Sequence, residues 1–139
     1  MAKFQGKHHQ ITDKILKAFY KVHSELGYGF AEKVYENALV ILLQEFGLRV
    51  EQQKRIKVYF HGQIIGEYIA DVVVNEVILL ELKAVSKIID QHSAQLWNYM
   101  KATEFEVGLL LNFGPKATFQ RRVFDNERKG TLSWVKKIS

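Results

Sequence analysis

The sequence contains no cysteine, so it can form neither a disulfide framework nor a cysteine-based zinc site, and thiol catalysis is excluded. It has a single proline, Pro115, and no apolar run approaches the ~18 residues of a membrane-spanning helix. The amino-terminal residues also lack the apolar segment of a secretory signal peptide. We therefore expect a cytoplasmic protein that does not enter a membrane.

Several common motifs of nucleotide-binding and hydrolytic enzymes are missing as well. The chain has no Gly-x-x-x-x-Gly-Lys-Ser/Thr phosphate loop, no Gly-x-Gly-x-x-Gly turn and no Gly-x-Ser-x-Gly nucleophile turn. These absences exclude the nucleotide-binding and serine-nucleophile sites that depend on such turns.

The composition is that of an ordinary globular protein with an excess of positive charge. With 139 residues, 47% hydrophobic and 25% charged, the chain is expected to form one domain over residues 1–139 with a buried core. The net charge of +5 is concentrated on one side of the first predicted helix and in the segment 116–139. The basic residues that we expect to contact a partner are Lys14, Lys17, Lys21, Arg121 and Arg122.

This basic excess has two interpretations. It favours a polyanionic partner, of which nucleic acid is the commonest. A solvated basic surface without a partner explains the same charge equally well.

The apolar periodicity predicts an α/β fold. Helices are expected over about 10–26 and 31–46, strands over 50–60, 64–74 and 77–83, a helix from Asp90 or Ser93 to about 102, and strands over 105–113 and 117–124. Leu132, Trp134 and Val135 suggest a final short strand or turn. The helix between the third and fourth strands implies a crossover, and therefore a mixed central sheet flanked by helices in the order ααβββαβ(β).

Asp71, Glu81 and Lys83 lie near the ends of an almost wholly apolar stretch, residues 69–83. Two strand-length apolar runs are joined there by Asn75-Glu76, which predicts a hairpin. Glu81 and Lys83 are two apart and so share one face of their strand. In a regular hairpin, Asp71 would lie near the same end of the neighbouring strand. The three charged groups are therefore expected to converge.

Such a cluster has two chemical explanations. Mg²⁺ prefers carboxylate oxygens and retains several waters, so two or three acids can hold it. A bound ion would polarise a phosphate and lower the pKa of a water, and Lys83 could orient that water or stabilise charge on the phosphate. The alternative is an ion pair between Lys83 and either Asp71 or Glu81, and the local pattern does not decide between them.

Two helices could add polar groups to this site. Glu32 opens the second helix and shares a face with Tyr35 and Glu36, although an acid at a helix start is also favoured by the helix dipole. On the third predicted helix, Gln95 and Tyr99 are four residues apart and share a face. The amide of Gln95 could hold a phosphate or a metal-bound water.

The run from Val22 to Glu36 resembles the opening motif of the GxxExxY protein family. The runs 81–85 (Glu-Leu-Lys-Ala-Val) and 108–114 (Gly-Leu-Leu-Leu-Asn-Phe-Gly) are similar to its later blocks, and the similarity covers about residues 10–125. This family is placed in the PD-(D/E)XK nuclease-like superfamily.

The resemblance extends to the superfamily's site motifs. Asp71 followed by Glu81-x-Lys83 matches the core motif, and Gln95-x-x-x-Tyr99 is similar to the extra motif of RecB-type exonuclease domains. The initial proline of the core motif is absent, and the usual Gly-Pro-Gly of the family is Gly-Tyr-Gly at residues 27–29.

The resemblance implies a metal-dependent nuclease. Its metal ligands for Mg²⁺ or Mn²⁺ would be Glu32, Asp71, Glu81 and the main-chain carbonyl of Leu82. Its catalytic residues would be Asp71, Glu81, Lys83, Gln95 and Tyr99. We expect nucleic acid as the partner, DNA more than RNA, with a homodimer or larger assembly because a small domain has little surface to enclose a duplex. The alternative is an inactive nucleic-acid- or partner-binding module that retains the nuclease fold.

Overall fold

The computed structural model describes residues 6–129. The elements are α1 (His9–Leu26), α2 (Glu32–Glu45), β1 (Val50–Phe60), β2 (Gln63–Val74), β3 (Ile78–Lys83), α3 (Asp90–Lys101), β4 (Val107–Phe113), β5 (Ala117–Val123) and a 3₁₀ turn (Asn126–Arg128). This order confirms the predicted ααβββαβ(β) arrangement, with the fifth strand present. The predicted strand or turn near Trp134 lies outside the described residues.

The five strands form one mixed sheet in the order β1-β2-β3-β4-β5. All neighbouring pairs are antiparallel except β3 and β4, which are parallel. A parallel pair requires the chain to return to the same end of the sheet, and α3 makes that crossover. Within residues 6–129, no helix is both long and apolar enough to span a bilayer.

The sheet separates two apolar cores. Helices α1 and α2 pack on one face and α3 packs on the other. On β3, Leu80 and Leu82 belong to the first core, whereas Leu79 belongs to the second. Because side chains alternate along a strand, Glu81 and Lys83 lie on the α3 face with Leu79, as their spacing predicted.

A tight turn between β2 and β3 determines which residues of the two strands meet. Asn75 and Glu76 both have positive φ, 50° and 61°, and the N–H of Val77 donates to the carbonyl of Val74 at 3.1 Å. Asparagine accepts this left-handed conformation more readily than most residues. The turn pairs Val72 with Leu80, which places Asp71 beside Glu81.

The pairing between β2 and β3 is much shorter than the pairing between β1 and β2. The β1–β2 ladder runs from Val50 opposite Val74 to Phe60 opposite Gln63. The β2–β3 ladder contains only three pairs, of which Val72 with Leu80 is the last. Beyond that pair the two strands separate, so the hairpin is not regular along its length. The separation leaves a gap in the sheet, and the predicted site lies at this gap.

Candidate active site

The carboxylates of Asp71 and Glu81 occupy the gap between β2 and β3. The main-chain N–H of Asp71 donates to Oε2 of Glu81 at 3.3 Å, and the N–H of Leu82 donates to Oδ2 of Asp71 at 2.8 Å. In a continuous ladder these N–H groups would bond to main-chain carbonyls. Here the two side chains accept them instead, so each acid is held by the neighbouring strand.

A break in the alternation of β2 accounts for the position of Asp71. Tyr68, Ala70 and Val73 all belong to the α3 core, although a strict period of two cannot place both Ala70 and Val73 on one face. The break therefore falls at Asp71. Gln53 lies opposite on β1 and has a φ of 53°, an uncommon conformation for a residue other than glycine. This local distortion directs Asp71 into the gap.

Burial and the charges of neighbouring acids raise the pKa values of the three predicted acids. Burial, followed by the charge of Asp71, raises the pKa of Glu81 to about 8. Burial also raises the pKa of Asp71, and burial followed by the charge of Asp71 raises the pKa of Glu32. The positive charge of Lys83 lowers the pKa of all three groups without cancelling these increases. A cation bound at this position would lower these pKa values, because it stabilises the ionised carboxylates.

Lys83 lies close to these acids but is not paired with any of them. It is the last residue of β3 and is partly exposed. Within residues 6–129, no ion pair includes Lys83. The ion pair that offered a structural explanation for Asp71, Glu81 and Lys83 is therefore not formed. The ammonium group remains available for a ligand.

A buried glutamate on α2 anchors the elements around the gap. Glu36 is only 3% exposed and accepts hydrogen bonds from Lys33 Nζ at 2.9 Å, Gln52 Nε2 at 2.7 Å and Gln53 Nε2 at 3.0 Å. A buried carboxylate is tolerated when it is paired and hydrogen-bonded in this way. The network ties the first turns of α2 to the distorted part of β1, opposite Asp71.

The sequence pattern placed Glu36 on the same helix face as Glu32 but assigned it no role in the site. The signal that could have revealed it is a glutamate on the buried side of α2, one helical turn after a predicted ligand. Gln52 and Gln53 carried no comparable signal, because their partner lies on another element.

The predicted pair on α3, Gln95 and Tyr99, is connected to the acids by Tyr68. Gln95 Nε2 donates to Tyr99 Oη at 2.8 Å, and the ring of Tyr99 stacks on the ring of Tyr68 with centroids 3.5 Å apart. Burial, followed by the charge of Glu81, raises the pKa of Tyr68, which places this stack beside Glu81. Tyr68 was not among the residues predicted for the site. Its alternation with Ala70 on the α3 face was the available signal.

The hydroxyl of Tyr68 leads to a stability prediction. Tyr68 Oη is buried and has no hydrogen-bond partner among the described residues. Leaving a buried polar group unsatisfied costs about 1–3 kcal/mol. The substitution Tyr68→Phe keeps the stacked ring and removes that group, so we expect the free energy of unfolding, measured by urea denaturation, to rise by about 1 kcal/mol.

Tyr35→Phe is the matched control for this prediction. The hydroxyl of Tyr35 donates to the carbonyl of Gly27 and accepts from the N–H of Phe30, so its loss should destabilise the protein by about 1–3 kcal/mol. Equal destabilisation by the two substitutions would show that the hydroxyl of Tyr68 is satisfied in solution.

The donor set fits a hydrated divalent cation better than a fully protein-bound one. Among residues 6–129, no three acidic or histidine side chains are grouped closely enough to form a metal cluster. Asp71 and Glu81 do converge, and burial, the charge of Asp71 and the charge of Glu32 at the start of α2 raise the pKa of Glu81. Mg²⁺ keeps several waters and is often bound through one or two carboxylates. The convergent pair of buried carboxyls is consistent with such an ion.

The predicted basic residues on α1 are distributed along the helix. Lys14 Nζ donates to the carbonyl of Phe46 at 3.5 Å, just beyond the last residue of α2. Because α2 begins at the site and has 14 residues, this contact lies about 20 Å from Glu32. Lys21 pairs with Glu25 at 2.8 Å. Lys17 is exposed.

The two predicted arginines lie on opposite faces of β5. Arg121 is paired with Leu109 on the face that α1 and α2 cover, and it donates to the carbonyl of Lys7 at 2.6 Å. Arg122 lies on the α3 face and donates to Gln120 Oε1 at 3.2 Å. Lys14 is thus remote from the acids, and Lys83 and Lys33 are cations whose charge lowers the pKa of Asp71.

Comparisons with known proteins identify the fold and the superfamily of the chain. No curated protein matches the chain significantly. The crystal structure of SSO0001 has a similar fold, with a TM-score of 0.54 and 15% sequence identity over 94% of this chain and 85% of that one. The profile of the PD-(D/E)XK nuclease superfamily matches residues 9–123, which include α1 and the complete sheet. With the fold, the acid pair and this match together, the chain belongs to the PD-(D/E)XK nuclease superfamily.

Proposed function

We propose that the protein is a metal-dependent nuclease that hydrolyses phosphodiester bonds, with DNA preferred to RNA. The observation that carries this proposal is the pair of carboxylates from Asp71 and Glu81 in the strand gap, next to Lys83, which forms an ion pair with neither of them. Membership of a nuclease superfamily supports nucleic acid as the substrate. Assignment to the GxxExxY family remains a prediction from the sequence motifs.

The proposed cofactor is Mg²⁺ or Mn²⁺. Its ligands would be Asp71, Glu81 and the main-chain carbonyl of Leu82, and Glu32 would complete the set from the start of α2. When bound, the ion supplies a Lewis acid and lowers the pKa of a water so that it can attack phosphorus. Burial and the charges of neighbouring acids raise the pKa values of these three carboxyls, and a bound cation would offset that cost of ionisation.

Lys83 and the α3 pair would act on the phosphate. The ammonium of Lys83 would orient the attacking water or stabilise charge that develops on the phosphate oxygens. The amide of Gln95 would hold a non-bridging oxygen. Its orientation is set by the hydrogen bond to Tyr99, whose ring rests on Tyr68. Such pre-positioned donors stabilise a transition state without reorganisation.

The test is a cleavage assay with the purified protein on single-stranded DNA, duplex DNA and RNA. We expect cleavage of at least one form with Mg²⁺ or Mn²⁺, no cleavage with EDTA, and a loss of about 10²-fold or more in Asp71→Asn. Absence of cleavage of every form with either ion would contradict the proposal. Binding that depends steeply on salt but is unaffected by EDTA would then favour the inactive binding module.

A further inference from the structure

The loop between α1 and α2, residues 27–31, lies at the same end of the sheet as Lys83. His23, one turn before the loop, is hydrogen-bonded through Nε2 to the carbonyl of Gly114 at 2.7 Å, just beyond β4. Strand β4 runs parallel to β3 and pairs Asn112 with Lys83. The loop therefore lies near the carboxyl ends of both strands, and it leads directly into Glu32.

Tyr35 is hydrogen-bonded to this loop at two points. The hydroxyl of Tyr35 donates to the carbonyl of Gly27 and accepts from the N–H of Phe30 at 3.2 Å. The ring of Tyr35 stacks on Phe113 at 4.6 Å, so the support itself belongs to the core. Gly27 has a φ of 73°, which favours glycine at that point. A loop fixed in this way loses little conformational entropy when it binds a partner.

The rigid loop displays two aromatic side chains to solvent. Tyr28 is 54% exposed and Phe30 is 49% exposed. Phe30 touches Tyr35 edge-on with centroids 6.0 Å apart, so its ring is oriented but not covered. Single exposed apolar residues are ordinary, but two aromatic rings within three residues beside an acid site form a surface that could bind a ligand.

Two lysines lie near these rings. Lys33, in the first turn of α2, has a side chain that is 56% exposed and pairs with Glu36, and Lys83 at the end of β3 acts on Glu32 by its charge. Basic groups combined with exposed aromatic rings are the usual means of binding a single nucleic-acid strand, because the phosphates meet the cations and the bases stack on the rings. A paired duplex keeps its base faces stacked internally and cannot present them in this way.

We infer that Tyr28 and Phe30 form a stacking platform for unpaired bases, so that the strand entering the site is single-stranded at that point. This inference rests on the proposed function for the location of the scissile phosphate. It narrows the substrate class to single strands, flaps or frayed ends. The platform would bind DNA and RNA alike, since every base has an aromatic face.

The experiment measures fluorescence anisotropy of labelled oligothymidylate, oligouridylate and a blunt duplex, in a Glu81→Gln background with Mg²⁺ so that no strand is cut. We expect Tyr28→Ser and Phe30→Ser each to weaken single-strand binding about tenfold, with less than about twofold change for the duplex. Phe60→Ser is the control, because Phe60 is also 54% exposed but lies at the distant end of the β1–β2 hairpin. It should bind as the parent does.

Single-strand binding that is unchanged in the Tyr28→Ser/Phe30→Ser double variant would overturn the inference, as would equal losses for the single strand and the duplex. Failure of the proposed function gives a different result. In that case neither Mg²⁺ nor Mn²⁺ would support cleavage by the parent protein, while the double variant would still lose single-strand affinity. Cleavage of oligothymidylate by the parent that is undiminished in the double variant would reject the platform and leave the nuclease proposal intact.

Discussion

Lys83→Met is expected to reduce metal-dependent cleavage by about 10²–10³-fold. The ammonium of Lys83 lies near Glu32, Asp71 and Glu81 but is paired with none of them, so its charge is available to the phosphate and the attacking water. Methionine retains most of the apolar stem. The rate constant for cleavage at saturating Mg²⁺ is the measurement that checks this.

The matched control is Lys87→Met. Lys87 is an exposed lysine in the loop that follows β3, four residues after Lys83. It should retain the parent rate within about twofold, because isolated surface charges act weakly at a distance. Far-UV circular dichroism of both variants should match that of the parent. A rate for Lys83→Met within about tenfold of the parent would exclude it as a catalytic group.

The losses of cleavage rate caused by Glu81→Gln and Lys83→Met should not add. Residues that act as one catalytic unit are strongly non-additive, so the double variant Glu81→Gln/Lys83→Met should be scarcely slower than either single variant. Additive losses would indicate that the acid and the lysine serve separate steps. Glu51→Gln, on exposed β1, is the control for a carboxylate outside the gap.

The stability of the metal-free protein is expected to fall as the pH rises from about 5 to about 8. The folded protein holds a proton on Glu81, whose pKa is about 8, whereas the unfolded chain releases it near the ordinary value of 4.5. The folded state therefore binds more protons than the unfolded state in this range, so the free energy of unfolding decreases as the pH rises. The raised pKa values of Asp71 and Glu32 act in the same direction. Each unit of difference corresponds to about 1.4 kcal/mol, so a loss of a few kcal/mol is expected.

Urea unfolding across this pH range, with and without metal, checks the prediction. Glu81→Gln removes the titrating group while keeping its shape, so its stability should change less with pH and exceed that of the parent near pH 8. Mg²⁺ binds the ionised acids, so it should raise the melting temperature more at pH 8 than at pH 5. Glu51→Gln should keep the parent's slope. If the stability of Glu81→Gln depended on pH as that of the parent does, Glu81 would not be the titrating group. If neither Mg²⁺ nor Mn²⁺ had an effect at any pH, a structural acid cluster without metal would be favoured.

Local patterns were sufficient to predict the elements and part of the site. The interval of two between Glu81 and Lys83 places both on one strand face, whatever the rest of the chain does. The predicted turn at Asn75-Glu76 brings β2 back beside β3, so the sequence indicated that Asp71 lies near Glu81, although not the register that pairs Val72 with Leu80. Gln95 and Tyr99 were paired by helical periodicity, and their side chains are in fact hydrogen-bonded.

The contacts of the supporting residues could not be predicted because their partners are distant in sequence. Glu36 is buried beneath two glutamines of β1, and Tyr68 stacks on a tyrosine of α3. Neither contact has a local periodicity. The distribution of charge along the sequence identified Lys14 and Arg121 as basic residues, but it does not show at which end of the sheet they lie.

The sequence by itself determined the order of helices and strands, the pairing face of Glu81 and Lys83, and the absence of thiol chemistry. These properties depend on residue type and on periods of two or 3.6 residues, which act over a few positions. Only the tertiary structure decided that β2 separates from β3 at Asp71 and that Lys83 forms no ion pair with Asp71 or Glu81. The alternation breaks at Asp71, opposite the distorted Gln53 that Glu36 anchors, and the resulting gap replaces main-chain hydrogen bonds by carboxylates. Such a gap depends on contacts among β1, β2, β3 and α2, so no local pattern of residues specifies it.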